Sequence, residues 1–166
     1  MIIAVISDIH DNIANLKTCL DWCRRHQVKK IISCGDLTDS ETLNYLAANF
    51  AGEIFVIDGN AELYESSDLA KYPNITTSGD IGIQEIGKLH IGFTHQPEKI
   101  KKILKAASPA PDFIFYGHTH KPWLEHNGST IIANPGNLAG IFHQATFAVL
   151  NTDTKNLDLK IVADLK

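Results

Sequence analysis

Seven side chains have types and neighbours that suit a divalent-metal site. Asp8 and His10 follow the apolar run Ile2 to Ile6. Asp36 follows Lys30 to Cys34 and a glycine, and Asn60 follows Glu53 to Ile57 and Gly59. His95 comes after Leu89 to Thr94, and His118 and His120 come after Phe113 to Tyr116, in Gly117-His118-Thr119-His120. Imidazole, carboxylate and carboxamide donors without a thiolate match borderline divalent ions: Mn, Fe, Co, Ni or Zn. In extended or tightly turned backbone, residues i and i+2 point together, so Asp8 pairs with His10 and His118 with His120. Asp36 is a carboxylate that can bridge two ions. A bridged pair roughly 3.5–4 Å apart generates hydroxide at neutral pH and holds phosphoryl oxygens, the two-metal logic of phosphate-ester hydrolysis. One Asp-x-His alone carries little weight, whereas separate loops each donating the right type after a strand form a joint pattern.

The elements that must position these donors read as α/β. Ile2 to Ile6 is a buried strand. Asn12 caps a helix whose apolar positions Ile13, Leu16, Leu20 and Cys23 recur at helical spacing and which runs out at Arg24 and Arg25. Lys30 to Cys34 and Glu53 to Ile57 are further strands around a helix opened by Asp39 or Ser40, with Leu43, Leu46, Ala47 and Phe50 on one face. This is the pattern of βαβ units on a parallel sheet. After a short helical or irregular stretch from Glu62 to Lys71, hairpins are predicted at Ile81–Ile86 with Leu89–Thr94, and at Trp123–His126 with Ser129–Ala133 across Asn127-Gly128. A helix over 98–107, a strand Phe113–Tyr116 and a final pair, Thr146–Leu150 with Leu157–Val162, complete the chain. Nothing marks a linker, so a single domain over 1–166 is expected. Every donor then lies just past the carboxyl end of a strand, the edge where open α/β sheets bind ligands.

Composition narrows the function classes. The 166 residues carry 15 Lys+Arg against 19 Asp+Glu, a formal charge of −4, with 44% hydrophobic residues. That balance argues against broad nucleic-acid binding, which needs a basic face to displace counterions. The N-terminal apolar run is too short for a signal peptide or a membrane span, and three cysteines without a C-x-x-C pair fit a reducing compartment, so a cytoplasmic protein is expected. A nucleotide-binding Rossmann domain would need a Gly-x-Gly-x-x-Gly or Walker sequence, and neither is present.

In order and spacing, Asp8-Ile9-His10, Gly35-Asp36-Leu37-Thr38-Asp39, Gly59-Asn60, His95 and Gly117-His118-Thr119-His120 resemble the motifs of the calcineurin-like metallophosphoesterases, in particular their small single-domain phosphodiesterase branch. Asn134-Pro135-Gly136-Asn137 is similar to a turn of that branch. The resemblance implies two packed mixed β-sheets flanked by helices, a phosphodiesterase activity on a small phosphoester, and two divalent metal ions. It assigns one metal to Asp8, His10, Asp36 and His120 and the other to Asp36, Asn60, His95 and His118, with a bridging hydroxide attacking phosphorus in line. It also implies self-association into a homo-oligomer. A similar branch of the same fold is a non-catalytic scaffold in a membrane-trafficking coat, the alternative reading, and the complete donor set argues against it.

There are departures from the pattern. Where many relatives carry a His after Gly-Asn as general acid, this chain has Ala61, and His143 is the substitute proton donor proposed from sequence. Asp11 replaces a common glycine. Asp39 has two readings, an acceptor orienting a ligand imidazole or a helix N-cap. Cys19, Cys23 and Cys34 read as core thiols, and the Lys99–Lys105 lysines as a solvated helix face.

Overall fold

The computed structural model describes residues 1–165. Its first sheet contains β1 (Ile2–Ile6), β2 (Lys30–Ser33), β3 (Glu53–Val56), β4 (Ile75–Thr77), β10 (Thr146–Asn151) and β11 (Asn156–Ile161), in the order β11-β10-β1-β2-β3-β4. Strands β1 to β4 are parallel, and β10 and β11 continue the sheet antiparallel from β1. The second sheet has the order β5-β6-β7-β9-β8, from β5 (Ile81–Ile86), β6 (Leu89–Thr94), β7 (Phe113–Phe115), β8 (Trp123–Asn127) and β9 (Thr130–Asn134). Here β6, β7 and β9 are parallel, flanked by the antiparallel edges β5 and β8. The architecture is thus an α/β sandwich of two mixed sheets between helices.

The period of two in each strand sorts side chains into layers. Ile3 and Val5 of β1 face the second sheet, packing in one core with Ile32, Phe55, Phe93, Phe113 and Phe115. Ala4 and Ile6 face the other way, onto α1 (Ile13–Arg25) and α2 (Ser40–Asn49) through Leu16, Leu20, Leu43 and Leu46. On the outer face of the second sheet, Ile103 of a later helix, Ile100–Ala106, packs on Ile114 and Ile132. Each fully buried side chain of this kind contributes about 1.5–3 kcal/mol. Asn12 caps α1 by accepting from Asn15 N–H at 3.0 Å, and Arg24 and Arg25 complement the carbonyl end of the helix dipole.

The differences from the sequence expectation are local. Strand β4 was not foreseen, because three residues on a sheet edge are too few to show a period. Within Glu62 to Lys71 only Ser66–Leu69 (α3) is helical. The helix expected over 98–107 begins as a 3₁₀ turn, Pro97–Lys99, before α4 (Ile100–Ala106). Gly128, at φ +61°, makes the turn between β8 and β9, so both strands end one residue beyond the expected limits. Among the described residues no helix is long and apolar enough to cross a membrane.

Candidate metal centre

The parallel strands of both sheets run toward one rim, and the loops that leave them there carry all seven donors. The segment after β1 holds Asp8 and His10, that after β2 Asp36, that after β3 Asn60, that after β6 His95, and that after β7 His118 and His120. Asp8 Oδ1 lies 3.2 Å from His120 Nε2, which lies 3.2 Å from His10 Nε2. Asp36 Oδ2 is 3.6 Å from His10 Nε2 and 3.4 Å from His95 Nε2. Asn60 Oδ1 sits 2.8 Å from both His95 Nε2 and His118 Nδ1. Asp8, His10 and His120 form one group of potential ligand atoms, and Asp8, Asp36 and His95 a second, each within 4.8 Å.

Hydrogen bonding fixes which atoms face the centre. The Cys34 carbonyl can only accept, so His95 Nδ1 donates to it, at 2.8 Å. His95 Nε2 is left with its lone pair facing Asp36 Oδ2 at 3.4 Å, and two acceptors thus meet without a donor between them. A cation relieves that repulsion, and the donor chemistry fits divalent metal.

The backbone is bent to deliver these donors. Asp8, His10, Asp36, His118 and His120 all have left-handed φ, between 43° and 68°. Such conformations cost an L-residue roughly 1–2 kcal/mol and persist only where the surroundings impose them. The surroundings here are hydrogen bonds between loops. Asp8 N–H donates to Gly35 O and His10 N–H to Asp36 O, while His118 N–H and the Ser7 hydroxyl donate to the Asp8 carboxylate. Asp36 Oδ1 accepts from Asn60 and Ala61 N–H at 2.8 and 2.9 Å. A Cβ on Gly59 would overlap Asp36 Oδ1, so the close approach of these two loops requires glycine.

Glu62 is the functional residue the sequence reading missed. Its Oε1 accepts from Asp36 N–H at 2.8 Å and Gly59 N–H at 3.1 Å, and its Oε2 from Thr38 N–H at 2.9 Å. One carboxylate therefore ties the Asp36 loop to the Asn60 loop. The available signal was an acid two residues past Gly59-Asn60. Ser7 and the Cys34 carbonyl were also overlooked, since a serine and a main-chain oxygen carry no distinctive spacing.

Burial sets the charge states in the metal-free protein. It pushes the Asp8 carboxyl up to about 7, with the Ser7 hydroxyl pulling the other way and Asp36 reinforcing the rise. His95 is held below the usual imidazole range by burial, opposed by Asp36. His120 is lowered for the same reason, and burial raises Glu62. Two neighbouring carboxylates in a dry site are poorly tolerated without a counter-charge.

The remaining candidates lie around this centre. Asp39 Oδ1 accepts from Glu41 and Thr42 N–H and caps α2, while Asp11 Oδ1 holds Asp39 N–H and the Thr42 hydroxyl. The group beside the His10 ring is instead the Thr38 hydroxyl, 3.4 Å from Nδ1. His143 is exposed on the loop that packs on His120. The three cysteines are free and buried, and Lys99 pairs with Asp80.

A two-sheet sandwich with these donors gathered at one rim defines the class, a metal-dependent phosphoric ester hydrolase. The family model of the calcineurin-like phosphoesterase superfamily domain matches residues 1–155, and the chain belongs to that superfamily. Phosphodiesterase MJ0936 of Methanocaldococcus jannaschii is 26% identical over 159 residues, spanning 93% of this chain and 95% of the relative. Probable metallophosphoesterase MJ0623 of the same archaeon is 30% identical over 144 residues, 82% of this chain and 67% of the relative. Among solved structures, an archaeal phosphodiesterase superposes with a TM-score of 0.86 at 24% identity, covering 97% of this chain and 99% of the other. Zinc-complexed Vps29 from Entamoeba histolytica superposes at 0.71 and 20% identity, covering 96% and 90%.

Proposed function

We propose that this protein is a dinuclear metal-dependent phosphodiesterase acting as one domain, residues 1–166, on a small phosphoester. The observation that carries the reading is the meeting of His95 Nε2 and Asp36 Oδ2, 3.4 Å apart, as acceptors with no donor between them, within the ring of seven donors. Asp8, His10, Asp36 and His120 would hold one ion, and Asp36, Asn60, His95 and His118 the other. When bound, such a pair supplies a deprotonated water for attack on phosphorus and positive charge for the phosphoryl oxygens. Manganese, iron, cobalt, nickel and zinc all suit the donors. The free, buried cysteines agree with a cytoplasmic setting, and a homo-oligomer remains part of the proposal.

The chain's own residues preorganise this chemistry. Cys34 O fixes the His95 tautomer, Ser7 and His118 N–H hold Asp8, and Glu62 holds the Asp36 and Asn60 loops together. Neutral Asn60 lowers the negative charge at its ion, leaving room for a phosphate oxygen. Ala61 offers only a methyl where an imidazole would donate a proton. Without a proton donor there the site would favour esters with good leaving groups, acid catalysis being typically worth about 10²–10⁴-fold, and His143 is proposed as a donor that would relax that preference. The scaffold alternative fits less well, because a non-catalytic role gives no reason for a complete and strained donor set.

The test is turnover of bis(p-nitrophenyl) phosphate by protein loaded with manganese or nickel. Asp36→Asn and His95→Ala should each lower kcat/KM by at least about 10³-fold, the several kcal/mol that metal charge supplies to the transition state. Full activity in both variants would overturn the reading.

A further inference from the structure

Phe142 is the most exposed large apolar side chain among the described residues, at 91%, and it lies beside the donors. Its ring centroid is 6.1 Å from that of His120, at an interplanar angle of 46°. It has a φ of +63°, a conformation strained for a bulky L-residue and rarely kept without a use. Burial gives no account of either feature.

The segment leading to it, Leu138 to Ile141, is tied to the centre. Leu138 N–H donates to Ser7 O and Ala139 N–H to Asp8 O, both at 3.0 Å. Asn12 and Asn15 side chains donate to Ala139 O and Leu138 O. Asn137 donates through Nδ2 to His120 O at 3.0 Å and accepts through Oδ1 from Gly140 and Ile141 N–H at 2.6 and 3.0 Å. One carboxamide thus locks the His120 loop to the turn that carries Phe142. The ring's attachment is set relative to the donors, and its faces are left to solvent.

We propose that Phe142 is the stacking platform for one ester arm of the substrate, and that the arm is a flat aromatic group, a nucleobase or an aryl ring. This rests on the phosphoester reading of the centre. An ester arm directed past His120 from a phosphoryl group held by the donors would meet the phenyl ring, whose centroid is 6.1 Å from that of His120. Phenylalanine has no hydrogen-bonding atom with which to read hydroxyls or charge, so it discriminates by π-face and apolar area, which an aromatic arm offers and a short alkyl arm does not. Leu63, 78% exposed and three residues past Asn60, adds apolar surface on a second loop of the same rim.

The test is equilibrium binding to manganese-loaded protein by calorimetry, which requires no turnover. The probes are methylphosphonate, phenylphosphonate and thymidine 5′-monophosphate. Wild-type protein should bind at least one aromatic probe about tenfold tighter than methylphosphonate, within the range of single-base stacking. Phe142→Ala should remove that preference without changing methylphosphonate binding, and Phe142→Trp should keep it. The tighter aromatic probe identifies the source, an aryl ring next to the phosphoryl group, for which phenylphosphonate stands in, or a base held one sugar away. Equal binding of all three probes, or a preference that survives in Phe142→Ala, overturns the proposal and leaves the phosphoester reading intact. Absence of binding by every probe overturns both. A preference absent from wild type, together with a change of oligomeric mass in Phe142→Ala, overturns it in favour of a protein contact.

Discussion

The donor rim and the open side of the sandwich, where edge strands β8 and β11 border a shallow groove, are built on opposite terms. At the rim, charged groups are buried: Asp8, Asp36 and His95 are almost without solvent contact. Of the ten non-glycine residues with left-handed φ among the described residues, only Gln27 and Lys155 lie away from the rim and the loops packed on it. Along β8 every residue is exposed and the backbone is regular, while Trp123, Leu124 and Leu159 show apolar surface to solvent. Charged side chains are inside at the rim, where Phe142 and Leu63 also stand exposed, while the groove side exposes apolar atoms on regular backbone. The contrast teaches that exposed apolar area is tolerated on an ordinary surface, whereas buried charge with backbone strain is maintained only by a dense set of inter-loop hydrogen bonds.

Taking the metal away should break the contrast most strongly. The Asp8 carboxyl has a folded-state pKa of about 7, above the ordinary carboxylate value of 3.8, so the folded protein holds a proton that the unfolded chain releases. Stability from this group is therefore full below about pH 4 and is lost as pH rises to 7. A gap of about 3 pH units corresponds to roughly 4 kcal/mol. His95 and His120, lowered by burial, act with the opposite slope below their ordinary range, and comparison with Asp8→Asn cancels them. In chelator-treated protein, Asp8→Asn should gain on wild type by that amount between pH 4 and 7 in denaturant titrations. Saturating manganese should abolish the gain, because an ion favours the charged carboxylate.

A smaller effect isolates the tie between the loops. Glu62→Gln keeps the shape and one acceptor but loses the charged acceptor facing Thr38 N–H. Metal affinity, read by calorimetry, should weaken by about 10–100-fold, as for other groups that orient ligands. An unchanged affinity would show that the Asp36 and Asn60 loops hold their positions without it.

The smallest effect lies on the groove side. Leu124→Lys, on an exposed edge strand that tolerates charge, should change stability by less than about 0.5 kcal/mol and leave kcat/KM as it is. A larger loss there would mean that the groove is more than surface.

The donors and their strands were legible because both are local. Gly117-His118-Thr119-His120 after an apolar run can be read from a few neighbouring residues, and so can the alternation of strands and helices up to Asp58. Strand β4 was not legible, being three residues long and dependent on β3 for its pairing. Glu62 was not legible either: its partners Asp36 and Thr38 lie 26 and 24 residues away, and no periodicity links such positions. Asp39 had two sequence readings, and the cap geometry shows which atoms its carboxylate holds.

By itself the amino-acid order determined the kinds of donor, their placement at strand ends and the α/β alternation, because hydrophobic period and side-chain chemistry act over a few residues. Tertiary structure alone decided which donors meet, which carboxylate locks the loops and where an aromatic ring stands in solvent. Those outcomes depend on contacts such as His118 N–H to Asp8, 110 residues apart, which form only when both sheets close on one rim.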